Sequence, residues 1–122
     1  NNFKSEWVIE KIKLAAADLN AQTGKKPKIA CLGLAFKPDI DDLRESPALD
    51  IAQSLLNDGF DVIAVEPNID THETLPLVEL LKALGDADIS AILVKHREFL
   101  QPQIQKDLRD HNALDFCGAF AS

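Results

Sequence analysis

The run "KIACLGLAF" (residues 28–36) constrains the fold more than any other stretch of the chain. It is short, continuously apolar and shows no polar alternation, the pattern of a strand buried on both faces of a parallel sheet. "DVIAVEP" and "DISAILVKH" repeat the theme, and "NALDF" reads as a short last strand. Amphipathic stretches separate these runs. After the first, Ser46 and Pro47 supply an N-cap and a first-position proline; Leu49, Ile51, Ala52, Leu55 and Leu56 face inward, and Gly59 ends the helix. "PLVELLKALG" predicts a short helix ended by Gly85, and Pro102 with Leu100, Ile104 and Leu108 predicts another. The resulting β-α-β-α-β-α-β order implies an α/β fold: a Rossmann-like, doubly wound parallel sheet with right-handed crossovers and expected strand order 2-1-3-4.

A further helix is expected ahead of this unit, over residues 5–20, where Ser5 can cap, Glu6 favours the positive end of the dipole, and Val8, Ile12, Ala15 and Leu19 recur at helical spacing. "NAQTGKKPK" then reads as a turn or linker. The chain divides by this reading into residues 1–24, a helix and linker from a central helical segment, and residues 25–122, the compact domain. An asparagine-led start that runs straight into a helix is what a cut through a longer polypeptide would leave.

A formal net charge of -7 disfavours nucleic acid and anionic membrane as main partners, although a local basic pocket could still hold an anion. No apolar run approaches the ~20 residues that span a bilayer, and no export signal opens the sequence. The two cysteines, Cys31 and Cys117, form no CxxC pair and no metal-ligand spacing with the three histidines. A reduced, cytoplasmic chain is the expectation.

In such a sheet, ligands bind outside the carboxyl ends of the strands where strand order reverses, which directs attention to Gly33–Ser46. The dinucleotide fingerprint is absent there: only Gly33 follows the first strand. Side-chain recognition remains, with Lys37 as a compact cation, Arg44 as a planar fork and a helix N-terminus at Ser46. A solvated turn in which Lys37 and Arg44 balance Asp39, Asp41, Asp42 and Glu45 fits the charges as well. Asp41 and Asp42 suit holding the loop and its arginine better than binding metal. Glu66, Lys95, His96 and Asp115 lie at the other strand ends. A lone histidine such as His96 is more often packed than catalytic. Glu66 imitates an acid that would hold a ribose hydroxyl, but the glycines that should accompany it are missing. Neither cysteine has a visible activating base, so no catalytic constellation and no metal site is expected.

The stretch "GLAFKPDIDDLRESPALDIAQSLLNDGFDVIAVEP", with its G-x-x-F-K, acidic patch and R-E-S-P leading into a helix, resembles the C-terminal domain of the UDP-glucose/GDP-mannose dehydrogenase family. "DADISAILVKHREF" is similar to the family's strand that ends in histidine and is followed by phenylalanine. Within the family, "FKPDIDDLRESPAL" with "VEPNI" is most similar to members that oxidise UDP-N-acetylmannosamine to UDP-N-acetylmannosaminuronate. The resemblance implies oxidation of a nucleotide sugar at C6 for polysaccharide biosynthesis, with two NAD and a catalytic cysteine in a separate segment. It also implies an N-terminal NAD-binding domain, a central helix that builds a homodimer, and a C-terminal domain that closes on the nucleotide of the UDP-sugar. By motif, Phe36 and Lys37 match substrate-contacting positions, and Arg44 an arginine that reaches NAD across the interdomain cleft. Relatives often carry a basic residue after the last strand's aspartate, where this chain has "DFCG". The other expectations are a stand-alone binding or regulatory module of flavodoxin-like architecture, or a structural interaction domain that binds no nucleotide; a UDP titration separates the latter.

Overall fold

A computed structural model describes residues 5–120. The chain runs α1 (Ser5–Thr23), β1 (Lys28–Leu32), α2 (Pro47–Asn57), β2 (Asp61–Val65), α3 (Leu80–Asp86), β3 (Ile89–Ile92), a 3₁₀ turn (Arg97–Leu100), α4 (Pro102–Asp110) and β4 (Leu114–Asp115). The four strands form one parallel sheet in the order β2-β1-β3-β4, as the alternation of runs predicts.

Side chains leave a strand on alternate faces, so a central strand covered on both sides must be apolar at every position. β1 obeys this closely. Ile29 and Cys31 enter a core with Val62, Ala64 and Ala91 under α1 and α2. Ala30 and Leu32 enter a second core with Ile63, Val65 and Ile92 under α3 and α4, together with Phe99 and Leu108. The outer edge of β2 is covered as well: Ala64 N–H donates to the Pro76 carbonyl, and Val78 N–H to the Ala64 carbonyl, both at 2.9 Å. That pairing claims the first part of "PLVELLKALG" and delays α3 to Leu80. Paired edges of this kind resist strand addition by other chains.

α1 extends to Thr23, where Gly24, at φ 72°, closes it with a hydrogen bond from its N–H to the Asn20 carbonyl. Val8, Ile12 and Ala16 are its fully buried stripe and belong to the same core as α2. α2 begins as its sequence demands. Ser46 is extended, Pro47 follows it, and the Ser46 hydroxyl accepts from Leu49 N–H at 3.3 Å while donating to the Leu34 carbonyl at 2.7 Å. One buried hydroxyl thus ties the start of the loop to the start of the helix.

Gly33 marks the exit from β1. It adopts φ 98°, and a Cβ there would lie 2.6 Å from the Val94 Cβ and 3.0 Å from its backbone N and O. Only glycine lets the chains leaving β1 and β3 pass so closely. The one glycine in the loop therefore serves packing.

Candidate functional site

The carboxyl ends of β1, β2 and β3 meet around a buried pair, Glu66 and His96, which are 4% and 0% exposed. Glu66 Oε1 accepts from Leu34 N–H at 2.9 Å, Ala35 N–H at 3.1 Å and His96 Nε2 at 2.8 Å. Its Oε2 accepts from the backbone and side-chain N–H groups of Asn68, both at 3.0 Å. Burial alone would raise the Glu66 carboxyl; the hydrogen bonds from His96, Leu34 and Asn68 outweigh it and hold the group below the ordinary range. Glu66 therefore stays anionic, and it fills the place at the first βα turn where a pyrophosphate would collect backbone N–H groups. With Gly33 committed to Val94 and these amides committed to Glu66, the turn does not fit a dinucleotide held by this chain on its own.

The loop from Gly33 to Ser46 folds back on itself through Phe36 N–H, which donates to the Asp42 carbonyl at 2.8 Å. Asp39, at φ 65°, pins the loop to the end of β3: its N–H donates to His96 Nδ1 at 2.7 Å, and its Oδ1 accepts from Arg97 N–H at 2.8 Å. These contacts hold its carboxyl below the usual range, chiefly through the Arg97 backbone. Phe36 stands out, 48% exposed, with Lys37 Nζ 5.8 Å from its ring centroid.

Phe36 and Lys37 border a cleft of ≈ 730 Å³ that is also lined by Glu45, Leu93, Val94, Lys95, Phe116 and Cys117, with Pro47 and Ala48 at the start of α2. α1 braces the cleft-lining Phe116, which Trp7 meets edge-on at 5.9 Å. Among the described residues, Lys37 and Lys95 are the cations lining it. Lys95 was visible in the sequence only as a residue at a strand end. Its partnership with Lys37 depends on the β1·β3 pairing, which brings two distant loops side by side.

Arg44 is not in that cleft. Its Nε and Nη2 reach the two oxygens of Asp42 at 3.0 and 2.9 Å, on the outer side of the loop, and its side chain is 88% exposed. The Arg44 fork and N–H hold the Asp42 carboxyl down at about 2. The loop thus presents two cations in different directions: Lys37 toward the cleft, Arg44 outward.

Asp115 is spent internally. It accepts from the N–H groups of Cys117, Ala119 and Phe120 in the "DFCGAF" turn, and these bonds keep its carboxyl low against the opposing effect of burial. Burial pushes both thiols up to about 12, with the Asp115 charge adding at Cys117, so both are protonated at neutral pH. The described residues contain no group of three or more His, Cys, Asp or Glu side chains suited to a metal. No described helix is long and apolar enough to cross a membrane.

Together these features define a class: a doubly wound parallel α/β domain with a side-chain-lined cleft at the carboxyl end of its sheet. Comparison with known proteins names it. The chain belongs to the UDP-glucose/GDP-mannose dehydrogenase family, whose UDP binding domain matches residues 30–121. It is 46% identical over 114 residues to the UDP-N-acetyl-D-mannosamine dehydrogenase of Campylobacter jejuni, covering 87% of this chain and 27% of that protein. It is 47% identical over 111 residues to the Salmonella typhi protein of the same name, covering 81% and 26%. Among solved structures it is similar to a UDP-N-acetyl-mannosamine dehydrogenase from Staphylococcus aureus, with a TM-score of 0.68 and 30% identity over 80% of this chain and 22% of that one. The chain spans about a quarter of the length of the curated relatives it matches.

Proposed function

We propose that this chain is the UDP-sugar-binding part of an NAD-dependent nucleotide-sugar 6-dehydrogenase that oxidises UDP-N-acetylmannosamine to UDP-N-acetylmannosaminuronate. The observation that carries the reading is the cleft at the sheet end, lined by an exposed aromatic ring, two lysines and one carboxylate, Glu45, among mainly apolar side chains. Phe36 offers a surface for a planar or apolar part of the nucleotide, and Lys37 offers a point charge for the diphosphate. Arg44, exposed on the outer side of the loop, is the candidate contact to NAD held by a separate domain. Residues 1–24 fit the end of a central helical segment, and a cytoplasmic homodimer is the assembly this reading implies.

The hydride acceptor site and the nucleophile belong to other parts of the enzyme, so this chain alone should form no NADH from UDP-sugar and NAD. Its own affinity for UDP should be weak, near the millimolar range that corresponds to about -4 kcal/mol, because it supplies one wall of the site. Titration of UDP into the chain, followed by amide NMR, tests this. Saturable shifts at Phe36, Lys37 and Lys95 are expected. Unchanged spectra at several millimolar UDP would overturn the reading and favour a module that binds no nucleotide.

A further inference from the structure

We infer that His96 is a positioning residue for the loop that carries Phe36 and Lys37; the link to substrate rests on the reading above, whereas the link to the loop stands on geometry alone. The ring is fully buried and bridges three strand ends, with Nε2 2.8 Å from Glu66 Oε1 and Nδ1 2.7 Å from Asp39 N. A backbone N–H can only donate, so Nδ1 is the acceptor and the ring proton lies on Nε2, directed at Glu66. Glu66 therefore sets the tautomer, and the tautomer determines whether Asp39 has an acceptor.

The consequence lies two residues upstream. Asp39 holds φ 65°, a conformation that residues other than glycine rarely adopt without outside support. Its support is His96 at its N–H and Arg97 N–H at its carboxylate. Pro38 offers no N–H, and Lys37, preceding a proline, has a restricted backbone. The short path from Phe36 to Asp39 is thus held at its two ends, by Asp42 and by His96, with little freedom between. Removing the His96 acceptor frees one end. Removing only the Nε2–H donor leaves the loop tied and weakens Glu66.

Two variants of the 122-residue chain separate these effects. His96→Asn keeps an acceptor near the Nδ1 position but falls short of Glu66; His96→Gln reaches Glu66 with a donor and leaves Asp39 N–H without its acceptor. In His96→Gln, the Asp39 amide should lose hydrogen-exchange protection, and UDP affinity should fall roughly three- to tenfold. In His96→Asn, Asp39 protection and UDP affinity should stay within about twofold of wild type, while the melting temperature falls. Equal Asp39 protection in wild type and His96→Gln, or UDP affinity that merely follows melting temperature in both variants, would overturn the inference. If both variants fail to fold, nitrogen NMR of the unmutated ring decides: the Nε2–H tautomer at neutral pH supports it, and the Nδ1–H tautomer or an imidazolium overturns it. A wild type that shows the protected Asp39 amide but binds no UDP would leave the positioning role standing and remove the substrate reading.

Discussion

Two acid–base pairs sit within one loop's reach of each other, and their bond lengths are nearly the same. Glu66 and His96 meet at 2.8 Å with neither side chain exposed; Asp42 and Arg44 meet at 2.9 and 3.0 Å with the arginine 88% exposed. Distance does not distinguish them. Burial does, because a buried acceptor deprived of its donors loses its whole solvation, whereas an exposed one exchanges its partner for water. Five N–H donors converge on Glu66, which locks the strand ends together. Asp42 braces an arginine whose side chain stays 88% exposed. The interior pair builds the platform, and the outer pair lies exposed upon it.

The largest effect should come from breaking the interior pair. Glu66→Ala leaves buried N–H groups of Leu34, Ala35 and His96 without an acceptor, and should cost about 3–5 kcal/mol of folding stability. Urea unfolding measures it, and a loss below about 1 kcal/mol would mean that water replaces the carboxylate and the contrast with Asp42 is false.

Next in size is the effect of the cleft lysine on ligand rather than on fold. Lys37→Ala should weaken UDP-sugar binding in the full-length enzyme by about ten- to a hundredfold, the range for losing a charge-assisted contact. Its melting temperature should be nearly unchanged, since Lys37 is exposed and carries little of either core. Calorimetric titration paired with thermal melts decides it. Equal affinities would remove Lys37 from the site, and a large drop in melting temperature would recast it as structural.

Acid should sharpen the same contrast. The folded state lowers the Glu66 carboxyl below its ordinary value of 4.5, so the folded protein binds that proton less readily than the unfolded chain. The stability this contributes is complete above the ordinary value and is lost as pH falls through the lowered one. The advantage of wild type over Glu66→Gln in urea unfolding should therefore be constant near neutrality and shrink below about pH 4.5. An advantage that persists undiminished at pH 3 would assign it to shape rather than charge.

Much of the platform was legible beforehand, for local reasons. Continuous apolar runs announce strands covered on both faces, and Ser46-Pro47 announces α2, because these signals lie within a few residues of what they control. The head of "PLVELLKALG" misleads for the opposite reason: its helical periodicity is real, but pairing with Ala64 outweighs it. Glu66 and His96 were each visible at a strand end, yet their union spans 30 residues and depends on which strands are neighbours. Lys95 was missed as a cleft residue on the same ground. The structural use of Gly33 could not be read either, since the atom it avoids belongs to Val94.

The smallest effect on stability should come from the outer pair, and there the outcome matters most for function. Asp42→Asn weakens the brace on Arg44 but exposes no buried group, so its melting temperature should stay within about 2 °C of wild type, and any difference should vanish in 1 M salt. Arg44→Ala should be equally mild toward folding. In the full-length enzyme, however, it should raise the Michaelis constant for NAD more than that for the sugar nucleotide, because the guanidinium lies outside the cleft that Lys37 lines. Asp42→Asn should fall between wild type and Arg44→Ala in NAD dependence, since it leaves the charge in place but releases the fork from its fixed orientation. Steady-state kinetics with each substrate varied in turn separates the cases. Equal effects on both constants would place Arg44 with the substrate, and no effect on either would return the outer pair to a solvated turn whose charges balance only each other.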